Sequence, residues 1–279
     1  MRRTVSIAVA FLSFLIIAAS VYSAEIGVLF DTGFKRTSMA LDNIGIEYDD
    51  LQADVANLGN YNLIIIGHGA VSGQWQNTVN YTFDLGTPEA EAITAYVEGG
   101  GSVIVMFQDA ETGRGKWQWM PEGYELEQNN NAKAEAFEIS DPSHPVFNRP
   151  NKVDLAGPTD KWGDPEPWFT QWEKGDFMSA DPLVVPDSSA DKYKALVKTE
   201  GADDVHLVEA ELGEGRFMVT SLLCDSASIS TLNDDAQRQL SKDYFENLVV
   251  YGLGGGGEAV NHAEKLIGTW GRLKDTIGF

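Results

Sequence analysis

Two unbroken apolar runs constrain this chain more than anything else in it: LIII at residues 63–66 and VIVMF at residues 103–107. A strand with no polar alternation has no face to give to water, so it must be covered on both sides. The segment between the runs ends in TPEAEAITAYVEGGG and reads as a helix. Thr87 is placed as its N-cap and Pro88 as its first residue; Glu89 and Glu91 fill the first turn, and Gly99 to Gly101 stop it. Upstream, EIGVLFD is a third apolar run. KRTSMALDNIG follows it with Met39, Leu41 and Ile44 at helical spacing, and IEYDDLQ supplies a second short strand. Strands alternating with helices in this way predict an α/β domain with a mostly parallel central sheet.

From Gln108 to about Asp191 the pattern changes to Pro, Gly, Asp, Asn and Trp with short apolar runs such as AEAFEI. This stretch is expected to form loops and small strands that elaborate one edge or end of the sheet. Regular structure returns in YKALVKTE, VHLVEAEL and GRFMVTSLL, separated by turns at Gly201 and Gly213 to Gly215. A helix from about Asp235 to Tyr251 closes the domain, with Leu240, Tyr244, Phe245, Leu248 and Val249 on its apolar side. Residues 253–257 read as a glycine linker, and 258–279 as an amphipathic tail with Leu266, Ile267, Trp270 and Leu273 at helical spacing.

The first 23 residues have the form of a secretory signal peptide. Arg2 and Arg3 precede an apolar stretch, and Val21 and Ser23 suit cleavage before Ala24. The expected mature protein is exported, secreted or periplasmic, with no membrane span after cleavage, and its domain covers residues 24–252. The formal charge is −22. Such a field repels polyphosphates, so nucleic acid is not an expected partner. Cys224 is the single cysteine. It allows no internal disulfide and no cysteine-based metal cluster, and its apolar surroundings in FMVTSLLCD mark it as a buried small hydrophobe.

Asp31, Thr32 and Gly33 spell the catalytic loop of an aspartic protease, with LIIIG resembling the element that braces it. That chemistry needs two carboxylates sharing a proton. No second Asp-Thr-Gly or Asp-Ser-Gly occurs, and the flanking segments read as helices where such a protease is all-β. Asp31 instead falls at the C-terminal end of the first strand, either lining a pocket or capping the helix that follows. His68, in GHG, and Gln108 and Asp109 fall after two further strands. In an open α/β sheet these ends share one rim, where ligands bind. Asp31, His68, Gln108 and Asp109 are therefore the candidate catalytic residues, with an Asp–His pair suited to acid–base work.

YNLIIIGHG, a helix ending YVEGGGSVIVMF, DPSHPVF, GEGRFMVTSL and a last helix ending NLVVYGL together resemble the class I glutamine amidotransferase-like superfamily. Within it they look most like the secreted or trehalose-utilisation-type branch. The resemblance spans about Glu25 to Gly252 and implies a flavodoxin-like three-layer sandwich. It also implies a nucleophilic cysteine on the turn after the strand at Ser102 to Phe107, and a histidine after the strand at Arg216 to Leu222. Those positions hold Phe107, Gln108 and Asp109, and SLLCD. Nucleophile and base are both missing, so thiolate chemistry is not expected.

Five of the seven tryptophans, Trp117, Trp119, Trp162, Trp168 and Trp172, fall in the irregular stretch beside acids such as Asp160, Asp164 and Glu166. Flat aromatic faces beside carboxylates suit sugar rings, and these are the candidate ligand-binding residues. The alternative is that they pin the insertion down. The acidic spacing is not that of an EF-hand, and His144, His206 and His262 are read as a turn, a strand and a tail residue. No metal or cofactor is expected. The leading expectation is a non-catalytic domain binding a carbohydrate or a partner protein; the alternative is a hydrolase or lyase using Asp31, His68 and Asp109.

Overall fold

The computed structural model describes residues 25–31, 35–67, 88–106, 119–128, 134, 136–158, 182–230 and 233–254. The apolar runs become strands: β1 (Ile26–Leu29), β2 (Asp49–Gln52), β3 (Leu63–Ile66) and β4 (Ser102–Met106). They are joined in one sheet by β5 (Glu127–Gln128), β6 (Ala136–Ile139), β7 (Gly157–Pro158), β8 (Leu183–Val184), β9 (Tyr193–Thr199), β10 (Val205–Leu212) and β11 (Gly215–Thr220). The order is β2-β1-β3-β4-β11-β10-β9-β6-β7, with β8 on β10 and β5 on β8. From β2 to β11 every pairing is parallel, and from β11 onward every pairing is antiparallel.

Each central strand divides its side chains between two cores, as unbroken apolar runs require. Leu63, Ile65, Ile104, Met106 and Met218 join the core under α1 (Arg36–Ile44), α3 (Cys224–Ile229) and α4 (Asp235–Leu253). Ile64, Ile66, Val103, Val105, Phe217 and Val219 join the core under α2 (Pro88–Glu98). The result is the expected α/β three-layer sandwich, with a sheet that is parallel in the half nearest β1. On α4, Tyr244, Phe245, Leu248 and Val249 are fully buried, as their spacing predicts. Asp234 and Gln237 cap its start reciprocally.

The stretch after Gln108 does elaborate the sheet: β6 and β7 extend it beyond β9, and β5 and β8 form a small antiparallel pair. Helix α3 has no expectation behind it, because its six residues are too few to show a period. Residues 1–23, read as a signal peptide, Thr87, the expected tail and all of the expected linker beyond Gly254 lie outside the described residues.

The glycine-rich ends of α2 and of the β10–β11 hairpin fit into one another. Gly100, at φ 102°, takes the chain out of α2 in a conformation that side chains resist. Glu214 donates its N–H to the Glu98 carbonyl at 3.0 Å. A Cβ on Gly215 would strike the carbonyl oxygens of Val97 and Gly101, which are backbone atoms with no freedom to yield. Gly215→Ala should therefore cost about 1–3 kcal/mol through overpacking, read as a lower denaturant midpoint at unchanged slope.

Candidate functional site

The strand order 2-1-3-4 reverses direction at β1/β3, and ligands of open α/β sheets bind outside the strand ends at such a reversal. Asp31 follows β1 and Gly67 follows β3 at that point. Phe30, at φ 57°, and Lys35, at φ 48°, hold left-handed conformations on either side of the loop that starts with Asp31. For non-glycine residues each costs about 1 kcal/mol.

The Asp31 carboxylate ties the end of β1 to the start of α1. It accepts the backbone N–H of Ser38 at 2.6 Å and of Thr37 at 3.4 Å, two of the donors that the first turn of α1 cannot satisfy within the helix. Lys35, the residue in the N-cap position, makes no side-chain cap. Asp31 is 4% exposed, and its charge is matched to the positive end of α1. Of the two roles open to it from sequence, these two hydrogen bonds are those of a cap. A Cβ on Gly67 would lie 2.9 Å from both Cα and Cβ of Asp31. The missing side chain at Gly67 lets β3 end directly against Asp31.

Behind this cap lies a buried polar layer. Thr37 donates its hydroxyl to Asp225 at 2.9 Å, and the Ser226 N–H donates to the same carboxylate at 2.7 Å. Arg36 donates to Ser226 Oγ at 3.3 Å. Burial lowers the Arg36 pKa, and the charges of Asp225 and Asp31 oppose that shift. The layer bolts α1 to α3 and is built from groups that read in the sequence as a helix start and an apolar run. The signal available was the repeated small polar set, Thr37-Ser38 and Asp225-Ser226, at two helix starts.

Cys224 is fully buried beside Asp225. Burial raises its thiol pKa well above the ordinary value, and the neighbouring aspartate adds to that. This is the environment of an inert cysteine. His144 sits in a turn between prolines as expected: its Nδ1 accepts the Val146 N–H at 3.3 Å. Its other nitrogen faces Glu209 at 3.4 Å. Glu209 also accepts the Tyr251 hydroxyl at 2.6 Å and Arg216 at 3.3 Å, tying β10 and β11 to the end of α4.

Trp119 is not placed to meet a ligand. It is fully buried in the α2 core, donates its indole N–H to Thr94 Oγ1 at 2.9 Å and meets Phe217 edge-on at 5.2 Å. An aromatic this large beside a bare sheet face gains more from burial than from exposure. His68, Gln108, Asp109, Trp117, Trp162, Trp168 and Trp172 lie outside the described residues, as do Asp160, Asp164, Glu166 and His262. Among the described residues no group of three or more His, Cys, Asp or Glu side chains is arranged to hold a metal ion, and no helix is long and apolar enough to cross a membrane.

If Asp31 acts as a cap, Asp31→Asn should fold and lose about 1–2 kcal/mol of stability, since a neutral amide oxygen accepts more weakly at a helix start. Gly67→Ala should destabilise comparably by pushing on Asp31. Chemical denaturation of the two variants measures both.

No protein-family profile and no curated protein matches this sequence. Solved structures do resemble the fold. The mmIFT52 N-terminal domain shares 12% identity at TM-score 0.51, covering 82% of this chain and 97% of its own. A ThuA-like protein from Bacteroides uniformis shares 11% identity at TM-score 0.43, with 85% and 94% covered. The exo-beta-1,4-mannosidase Op5Man5 from Opitutaceae bacterium strain TAV5 shares 12% identity at TM-score 0.46; the match covers 86% of this chain and 38% of the mannosidase. At these identities the likeness is one of fold.

Proposed function

We propose that this chain is an exported, non-catalytic domain of flavodoxin-like, amidotransferase-like architecture that binds a carbohydrate or a partner protein through its 108–191 insertion. The observation that carries this reading is the commitment of Asp31 to the first turn of α1. The helix start that receives an anionic ligand in many α/β proteins receives the protein's own carboxylate here. The sequence adds that Cys224 is the single cysteine and that neither amidotransferase catalytic position holds its expected residue. Cys224 lies buried with a raised pKa, which supports an inert role.

For the ligand, the support is compositional. Trp117, Trp162, Trp168 and Trp172 stand among acids and glycines in one stretch of chain, a mixture suited to stacking on sugar rings while carboxylates accept their hydroxyls. Export rests on the signal-like N-terminus, and N-terminal sequencing of the secreted product should begin at Ala24.

A glycan array and a metal screen, both followed by thermal shift on the mature chain, test the binding reading. A sugar that raises the melting temperature, and fails to do so with Trp168→Ala at unchanged basal stability, supports it. Hydrolytic turnover of a glycan or small molecule that disappears in folded Asp31→Asn would overturn it in favour of an enzyme working from the sheet rim.

A further inference from the structure

His206 occupies the joint between the two halves of the sheet. It lies on β10, where the pairing with β9 shifts register on both sides of Leu207. Its Nε2 is 3.0 Å from the Thr199 hydroxyl at the last residue of β9. Its Nδ1 is 3.1 Å from the Ser221 hydroxyl just past β11. The ring also packs on Phe137 of β6, with centroids 4.7 Å apart. One imidazole thus pins three neighbouring strands and touches a fourth.

We propose that His206 is an acid-triggered latch, whose protonation releases β9, together with β6 and β7, from the β10–β11 side of the sheet. A neutral imidazole donates from one nitrogen and accepts at the other, and hydroxyls on both sides satisfy either tautomer. An imidazolium at the same place is a charge only 2% exposed. Its contacts among the described residues, Thr199, Ser221 and Phe137, carry no charge.

The ionisable residues on the packed elements are Glu138 on β6, Tyr193, Lys194 and Lys198 on β9, Glu209 and Glu211 on β10, and Arg216 on β11, with Cys224 and Asp225 at the start of α3. Glu209 is engaged with Arg216, Tyr251 and His144; Lys194 pairs with Asp141; Asp225 accepts from Thr37 and Ser226. None of the hydrogen bonds of the His206 ring goes to them.

Burial accordingly pulls the His206 pKa down from 6.5 to about 3. The open state binds the proton more tightly than the closed one, so opening is favoured as pH falls below 6.5, down to about 3. The weak line is β9/β10. The β10–β11 ladder runs in register from Leu207/Thr220 to Leu212/Gly215, whereas the β9–β10 ladder is already broken at Leu207. This inference is independent of what the insertion binds.

Amide hydrogen exchange on the full mature chain tests it, corrected for intrinsic exchange at each pH. Opening of the β6 and β9 amides should rise about tenfold per pH unit below about pH 6, the slope for one proton, while β1, β3 and β4 stay protected. His206→Gln keeps hydrogen-bonding capacity without a titrating ring and should abolish the slope. An equal slope in the variant, or simultaneous loss of protection in every strand, would overturn the latch. If His206→Gln does not fold, the imidazole resonance of the unmutated chain decides: titration near 6.5 with β9 still protected sinks the proposal. A ring that stays neutral until β9 opens supports it.

Discussion

The central strands β1, β3 and β4 are buried on both faces, and most of the remaining structure answers that constraint. A sheet with no wet face needs helices on both sides. Those helices begin and end near the strand tips, where backbone donors and acceptors lose their regular partners. The strand tips are therefore where polar side chains become structural. Asp31, Thr37, Ser226 and Asp225 form such a layer, buried between α1, α3 and the end of β1. An isolated carboxylate there would be costly. Hydrogen bonds from N–H and O–H groups, with Arg36 nearby, keep Asp225 and Asp31 in place.

This arrangement bears on function as well as stability. A helix start with free N–H groups at a strand-order reversal is an anion site in waiting. With an internal aspartate already there, an incoming phosphate or carboxylate must compete with a covalently tethered partner.

The fold was largely legible because its strongest signals are local. LIII, VIVM and the Thr-Pro-start, triple-Gly-end helix announce themselves within windows of a few residues, and β9, β10 and β11 fall where their apolar runs predict. What escaped depends on pairing across the chain. Helix α3 is too short for a period. The burial of Trp119 depends on Phe217 and Thr94, far away in sequence. His206 reads as a strand histidine, and its significance comes from Thr199 and Ser221 being brought to its two nitrogens. For Asp31, sequence supplied both a pocket and a capping role; the cap becomes visible only in the distances to Thr37 and Ser38.

The position of β11 carries a consequence for how the protein comes into being. Among the described residues it is the last strand in sequence, yet it lies in the middle of the sheet, between β4 and β10. The parallel half can assemble as β2-β1-β3-β4, but its open β4 edge waits for Gly215–Thr220 to arrive. An exposed edge of this kind invites pairing with other chains, and pairings distant in sequence form slowly. During synthesis the sheet thus remains incomplete until residue 220 of the 279 has been made.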